Sequence, residues 1–237
     1  MRRFLFALLA LSLLWGCAPT PVNAVSPPVP TEEQIEWAVS ELGPANDYRE
    51  WEGVEATISI LPFEDGSGKG TVIFGTVDFV EAVWRAFNLM DAEELAFVRE
   101  NTRVIEQELL WGWTRAERGG TTIVKYEQIR AIADDFGGRR LVTHRGSGEH
   151  ILLVKNRNEI VLAGALIHEA SHHYDWKSCR PSGGIEAEAR AISRELVLYD
   201  RYNVDALAQR WRERIGVHGA GRNPETSINP ECEAEIH

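Results

Sequence analysis

Ile160 to Ile167 carry neither a charge nor a strongly polar group, and they run straight into His168-Glu169-Ala170-Ser171-His172. An apolar run of this kind predicts a helix, about residues 157 to 174, that is buried before its histidines begin. The fold must then supply partners for the polar groups on the last turns, because burying them unpaired is costly. At a spacing of four, the two imidazoles stand one turn apart on the same helix face. Gly164 and Ala165, one turn before His168, leave room for a neighbouring chain to approach.

The chemistry available to such a face is specific. Two neutral imidazole nitrogens can hold one metal ion, and Glu169 beside them can accept a proton from water activated there. The plainer alternative is a satisfied structural histidine pair at a helix end. A second helix is expected at about 185 to 202, opening with Gly183-Gly184-Ile185-Glu186-Ala187-Glu188-Ala189-Arg190-Ala191. At 100° per residue, Glu188 falls inside the apolar arc formed by Ile185, Ala189, Ala191, Ile192, Leu196, Leu198, Tyr199 and Tyr202. Glu186 falls on the opposite side, with Arg190, Ser193, Arg194, Asp200 and Arg201. Glu195 shares the arc with Glu188 and is placed to orient a histidine.

The motif resembles that of the zincin metallopeptidases, and without a third histidine at the metzincin spacing it is similar to the gluzincin, thermolysin-like branch. The resemblance covers the two helices, about residues 160 to 202. It implies a Zn2+ ion held by His168 and His172, Glu169 as general base, and a glutamate from the downstream helix as third ligand. It implies a zinc metallopeptidase acting on a peptide or protein substrate. Both Glu188 and Glu186 satisfy the family's Glu-x-x-Ala setting. Helical phase favours Glu188, whereas the family's small residue seven positions on favours Glu186, through Ser193. A strand at 150 to 154 would, by the same resemblance, form the edge that pairs with substrate. Asp175 and His173 are further ligand candidates, with a solvated helix end as the simpler account of both. Tyr126, Tyr174, Tyr199 and Tyr202 are candidates to stabilise an oxyanion. Arg180, Arg190 and Arg194 are expected to be surface charge.

The N-terminus carries an address. Arg2 and Arg3 precede the uncharged run Phe4 to Trp15, which is too short to span a membrane and has the form of a secretory signal. It ends in Leu14-Trp15-Gly16-Cys17, which resembles a bacterial lipobox, so residues 1–16 are expected to be removed and Cys17 lipidated. An ordinary signal peptide with a chance cysteine is the alternative. Residues 17–30, with five prolines and no charge, form a tether reaching roughly 40 Å at about 3.1 Å per residue. The localisation implied is extracytoplasmic, anchored to a bacterial membrane by lipid alone. Cys179 and Cys232 then remain as a pair, and in an exported domain two cysteines are more often bridged than free.

The remaining organisation is one domain, residues 31–217, followed by a Gly- and Pro-punctuated tail, 218–237. Thr31-Glu32-Glu33-Gln34 is a capping box for a first helix ending near Gly43. Strands at 56–61 and 71–74 flank a Gly-rich turn, and a helix follows at 79–89. Asp91-Ala92-Glu93-Glu94 caps another, expected to carry Leu95, Phe97, Val98 and Val104. A hairpin is expected from 141–143 and 150–154, and a last helix near 205–215. The class is α+β, a zincin-like domain with a small antiparallel sheet. The net charge of −11 argues against nucleic acid as a partner, and the protein is expected to be a monomer. The reading from another class is a non-catalytic, surface-tethered binding or scaffold lipoprotein with a structural or vestigial metal.

Overall fold

The computed structural model describes residues 27–42, 55–107, 115–117, 121–124, 157–218 and 232. The expected signal, Cys17, most of the expected tether, and the hairpin expected at 141–154 lie outside them.

Helix α1 (Glu32–Leu42) opens with the expected reciprocal cap. The Gln34 amide donates to Thr31 Oγ1 at 3.3 Å, and the Thr31 amide donates to Gln34 Oε1 at 2.9 Å. Strands β1 (Ala56–Pro62) and β2 (Gly70–Thr76) pair antiparallel from Ala56↔Thr76 to Pro62↔Gly70. Helix α2 (Val77–Phe87) follows without a linker, its N-cap Thr76 accepting from the Phe79 amide. Helix α3 (Ala92–Asn101) carries the full Asp91–Glu94 capping box.

Val104 corrects the expectation that it continues this helix. Thr102 turns extended at φ −113° and ψ 121°, and Val104–Gln107 becomes strand β3, parallel to β2. Strands β4 (Arg115–Glu117) and β5 (Thr121–Val124) complete a five-stranded sheet in the order β1-β2-β3-β5-β4. The class is α+β, but the sheet is mixed rather than antiparallel, since β2–β3 and β3–β5 are both parallel pairs. Parallel neighbours need a crossover, and α2 with α3 provides the one between β2 and β3. The helical periodicity of residues 92–101 obscures the short strand that follows.

Helices α4 (Arg157–Lys177), α5 (Ile185–Arg201) and α6 (Asp205–Arg214) complete the described elements. Helix α4 packs against α2, α3 and α5, and α6 packs against α5. One apolar core joins Ile73, Ile105 and Val124 of the sheet to Phe79, Val83 and Phe87 of α2, and to Leu162, Leu166 and Ile167 of α4. A smaller core lies under α1, where Ala38 and Leu42 meet Ile60, Val72, Phe74 and Val104. Cys179, in the turn after α4, is joined to Cys232, with their Cα atoms 5.6 Å apart. Among the described residues, no helix is long and apolar enough to cross a membrane.

Candidate metal centre

The antiparallel packing of α4 on α5 brings the expected residues to one place. His168 Nε2 lies 3.1 Å from Glu188 Oε2, and His172 Nε2 lies 3.7 Å from the same oxygen. One ligand atom from each of the three residues falls within 4.8 Å of the others. All three are buried, Glu188 to 1% exposure. Glu186, two residues earlier, is exposed, as helical phase requires for positions about 200° apart. The sequence alternatives for the third carboxylate therefore separate cleanly: only Glu188 meets the histidines.

A second line of groups stands behind the first. His168 Nδ1 lies 3.1 Å from Glu195 Oε2; a carboxylate only accepts, so the proton on this nitrogen fixes the ring with Nε2 toward Glu188. The other oxygen, Glu195 Oε1, accepts from the Tyr199 hydroxyl. Tyr199 reaches this position because Gly164 has no side chain: a Cβ there would stand 2.2 Å from the Tyr199 hydroxyl oxygen. The room expected beside Gly164 and Ala165 is thus occupied by the residue that anchors Glu195.

The electrostatics follow from this enclosure. Burial alone would lower the His168 pKa, but hydrogen bonds to Glu188 and Glu195 outweigh it and push the value up to about 10. Burial would raise that of Glu188, but the two imidazoles hold it well below the usual carboxylate range. Burial, with the charge of Glu195 beside it, pushes the Tyr199 phenol well above its ordinary value, so it remains a donor. A protonated His168 would be a cation held between Glu188 and Glu195. A divalent ion can replace the His168 Nε2 proton and satisfy both imidazoles and Glu188 at once. Two imidazole nitrogens and one carboxylate oxygen form a donor set suited to such an ion. The residues fit the group.

Glu169 is 7% exposed, and among the described residues its carboxylate makes no hydrogen bond or ion pair. Its charge acts on His168, and a carboxylate beside the cluster is available to accept a proton.

Trp211 and His218 have no place in the sequence expectations. Helix α6 ends at Arg214, and Gly216, at φ +89°, turns the chain back. The His218 amide donates to Arg214 O at 2.9 Å, which sets its backbone. Its Nε2 then lies 3.4 Å from Glu188 Oε2. The Trp211 ring lies near both His168 and His218, at 6.3 and 5.8 Å between centroids. A glycine two residues past a helix end hints at the turn, but no periodicity links His218 to the motif. Only the docking of α6 on α5 does so.

The other candidates resolve differently. His173 and Asp175 are not at a solvated helix end, being 5% and 2% exposed. Asp175 accepts from Arg190 Nε at 2.9 Å, and Arg190 also donates to Pro181 O at 2.9 Å; neither residue is simple surface charge. Arg194 stacks on Phe97 at 4.2 Å and, like Arg180, faces Tyr174. The Tyr202 hydroxyl donates to Leu89 O at 2.8 Å, and Tyr174 packs on Phe97. Tyr199 is the tyrosine tied to the cluster, through Glu195 rather than toward open space. Tyr126 lies outside the described residues.

Comparison with protein-family models, with curated proteins and with solved structures finds no match to this chain.

Proposed function

We propose that the protein is a zinc-dependent metallohydrolase, a peptidase built on a gluzincin-like pair of helices. It would be held outside the cytoplasm by lipid on Cys17. The observation that carries this reading is the convergence of His168, His172 and Glu188, with the carboxylate of Glu169 next to His168. A merely structural site has no need of that fourth group.

When bound, the ion supplies a Lewis acid that polarises a carbonyl and acidifies water. Every other part falls to the chain. His168 and His172 present Nε2, and Glu188 presents Oε2. Glu195, braced by Tyr199, holds the His168 ring in the tautomer that frees Nε2. Glu169 accepts the proton from the attacking water and returns it to the leaving amine.

The experiment is metal analysis and peptide hydrolysis of the mature protein and of Glu169→Gln. The amide is close in shape but has no basic oxygen, so the variant should keep one zinc per chain and lose hydrolysis by at least about 100-fold. Hydrolysis undiminished in the variant would remove Glu169 from its role. Wild-type protein purified without chelator and devoid of zinc would favour the scaffold lipoprotein instead.

A further inference from the structure

Glu188 Oε2 is approached by three imidazole nitrogens: His168 Nε2 at 3.1 Å, His172 Nε2 at 3.7 Å and His218 Nε2 at 3.4 Å. Two of these belong to the helix motif. The third arrives from a separate part of the chain and faces the same oxygen through the same ring atom. Its approach is built by described backbone. The amides of Val217 and His218 both donate to Arg214 O, at 3.1 and 2.9 Å, so the turn is fixed to the end of α6. Trp211, one turn earlier on α6, sets its ring against His218 at 70° and also lies over His168. The His218 side chain is 35% exposed, against 10% and 7% for those of His168 and His172. It is the one imidazole of the three that borders solvent.

From this convergence we infer that His218 is a fourth protein donor of the metal centre, completing three imidazoles and one carboxylate by a short movement of its ring, since its nitrogen stands outside the mutually close set formed by His168, His172 and Glu188. The inference depends on the metal-site reading of His168, His172 and Glu188. Catalytic zinc sites keep a position open for water, whereas four protein donors close the sphere. A site closed in this way exposes its open position when the solvent-facing His218 ring swings aside.

The test is made on the mature protein loaded with Co2+, whose visible absorption reports the number and type of donors. Zn2+ affinity is measured in parallel by competition with a chelator. His218→Ala should weaken Zn2+ binding by at least about tenfold, since even removing an outer partner of a ligand costs that much. Its Co2+ spectrum should change and then return toward the wild-type form on adding free imidazole. Azide should alter the spectrum of the variant at concentrations that leave the wild type unchanged. His218→Gln keeps an amide able to reach Glu188 from the Nε2 position but supplies no imidazole, so it should behave like His218→Ala. The inference is overturned if His218→Ala matches the wild type in affinity and spectrum, or if His218→Gln restores both. In either case the three-donor site stands and His218 only positions Glu188. Wild-type protein that binds neither Co2+ nor Zn2+ would overturn the metal-site reading itself, and this inference with it.

Discussion

The hydroxyl of Tyr199 occupies the space a side chain on Gly164 would fill, with 2.2 Å between that oxygen and a Cβ built on the glycine. The relationship ties the packing of α4 on α5 to the candidate metal centre, because the same hydroxyl donates to Glu195, and Glu195 holds His168. Gly164→Ala should therefore act at two levels. It should destabilise the fold by about 1–3 kcal/mol through overpacking, read by denaturant unfolding. It should also loosen Glu195 and weaken zinc binding. Tyr199→Phe removes the hydroxyl without adding bulk and should weaken zinc binding by about tenfold with a smaller loss of stability. Unchanged zinc affinity in both variants would show that this brace does not reach the site.

Glu188 and Glu186 make a sharper comparison. Glu188 is almost fully buried against both histidines, while Glu186 faces solvent on the other side of α5. Glu188→Ala should strip zinc or weaken it by orders of magnitude, whereas Glu186→Ala should stay within about 0.5 kcal/mol in stability, as exposed substitutions usually do, with zinc content unchanged. Metal analysis of the two purified variants decides the matter.

The metal-free protein should be most stable near pH 6.5. His168 has a folded-state pKa of about 10 against an ordinary 6.5. Its contribution is fully present below 6.5 and is lost as pH rises from there toward 10. His173 is shifted the other way, to about 4, by burial and by the neighbouring charges of His172 and Lys177. The unfolded chain takes up its proton first, so stability falls as pH drops from 6.5 toward 4. Glu188, held low, steepens the loss at still lower pH. Thermal unfolding across pH 4 to 10 in chelator checks this. Zinc should flatten the alkaline side, because the ion takes the place of the His168 Nε2 proton. A stability that rises steadily from pH 6.5 to 10 in chelator would contradict the assignment.

The mature N-terminus should be Cys17 carrying lipid. Mass spectrometry of the membrane-extracted protein should show an acylated peptide beginning at this residue, and Cys17→Ser should release the protein from the membrane fraction. An unmodified N-terminus elsewhere would replace the lipobox with an ordinary signal cleavage.

Local information determined a good deal. The capping boxes at Thr31 and Asp91, the hairpin around the Gly-rich turn, and the two long helices each depend on residues within a few positions of one another. So does the pairing of His168 with His172, since helical spacing alone puts them on one face. Helical phase even separated Glu188 from Glu186, because an acid within an apolar arc must face the interior. What lay beyond reach depends on contacts between distant segments. Val104 follows a helix, and its strand character is set by pairing with Val72. Nothing near Asp175 announces that Arg190 will neutralise it across the α4–α5 turn. The disulfide was inferred from compartment, but its geometric possibility needed the turn after α4 to meet Cys232. His218 is the clearest case. A lone histidine beyond the last helix has no period and no motif, and it faces Glu188 only because α6 docks on α5 and the chain turns back at Gly216. Spacing along a helix is a local property and survives in one dimension; which distant side chains share a carboxylate oxygen is decided only when the helices pack.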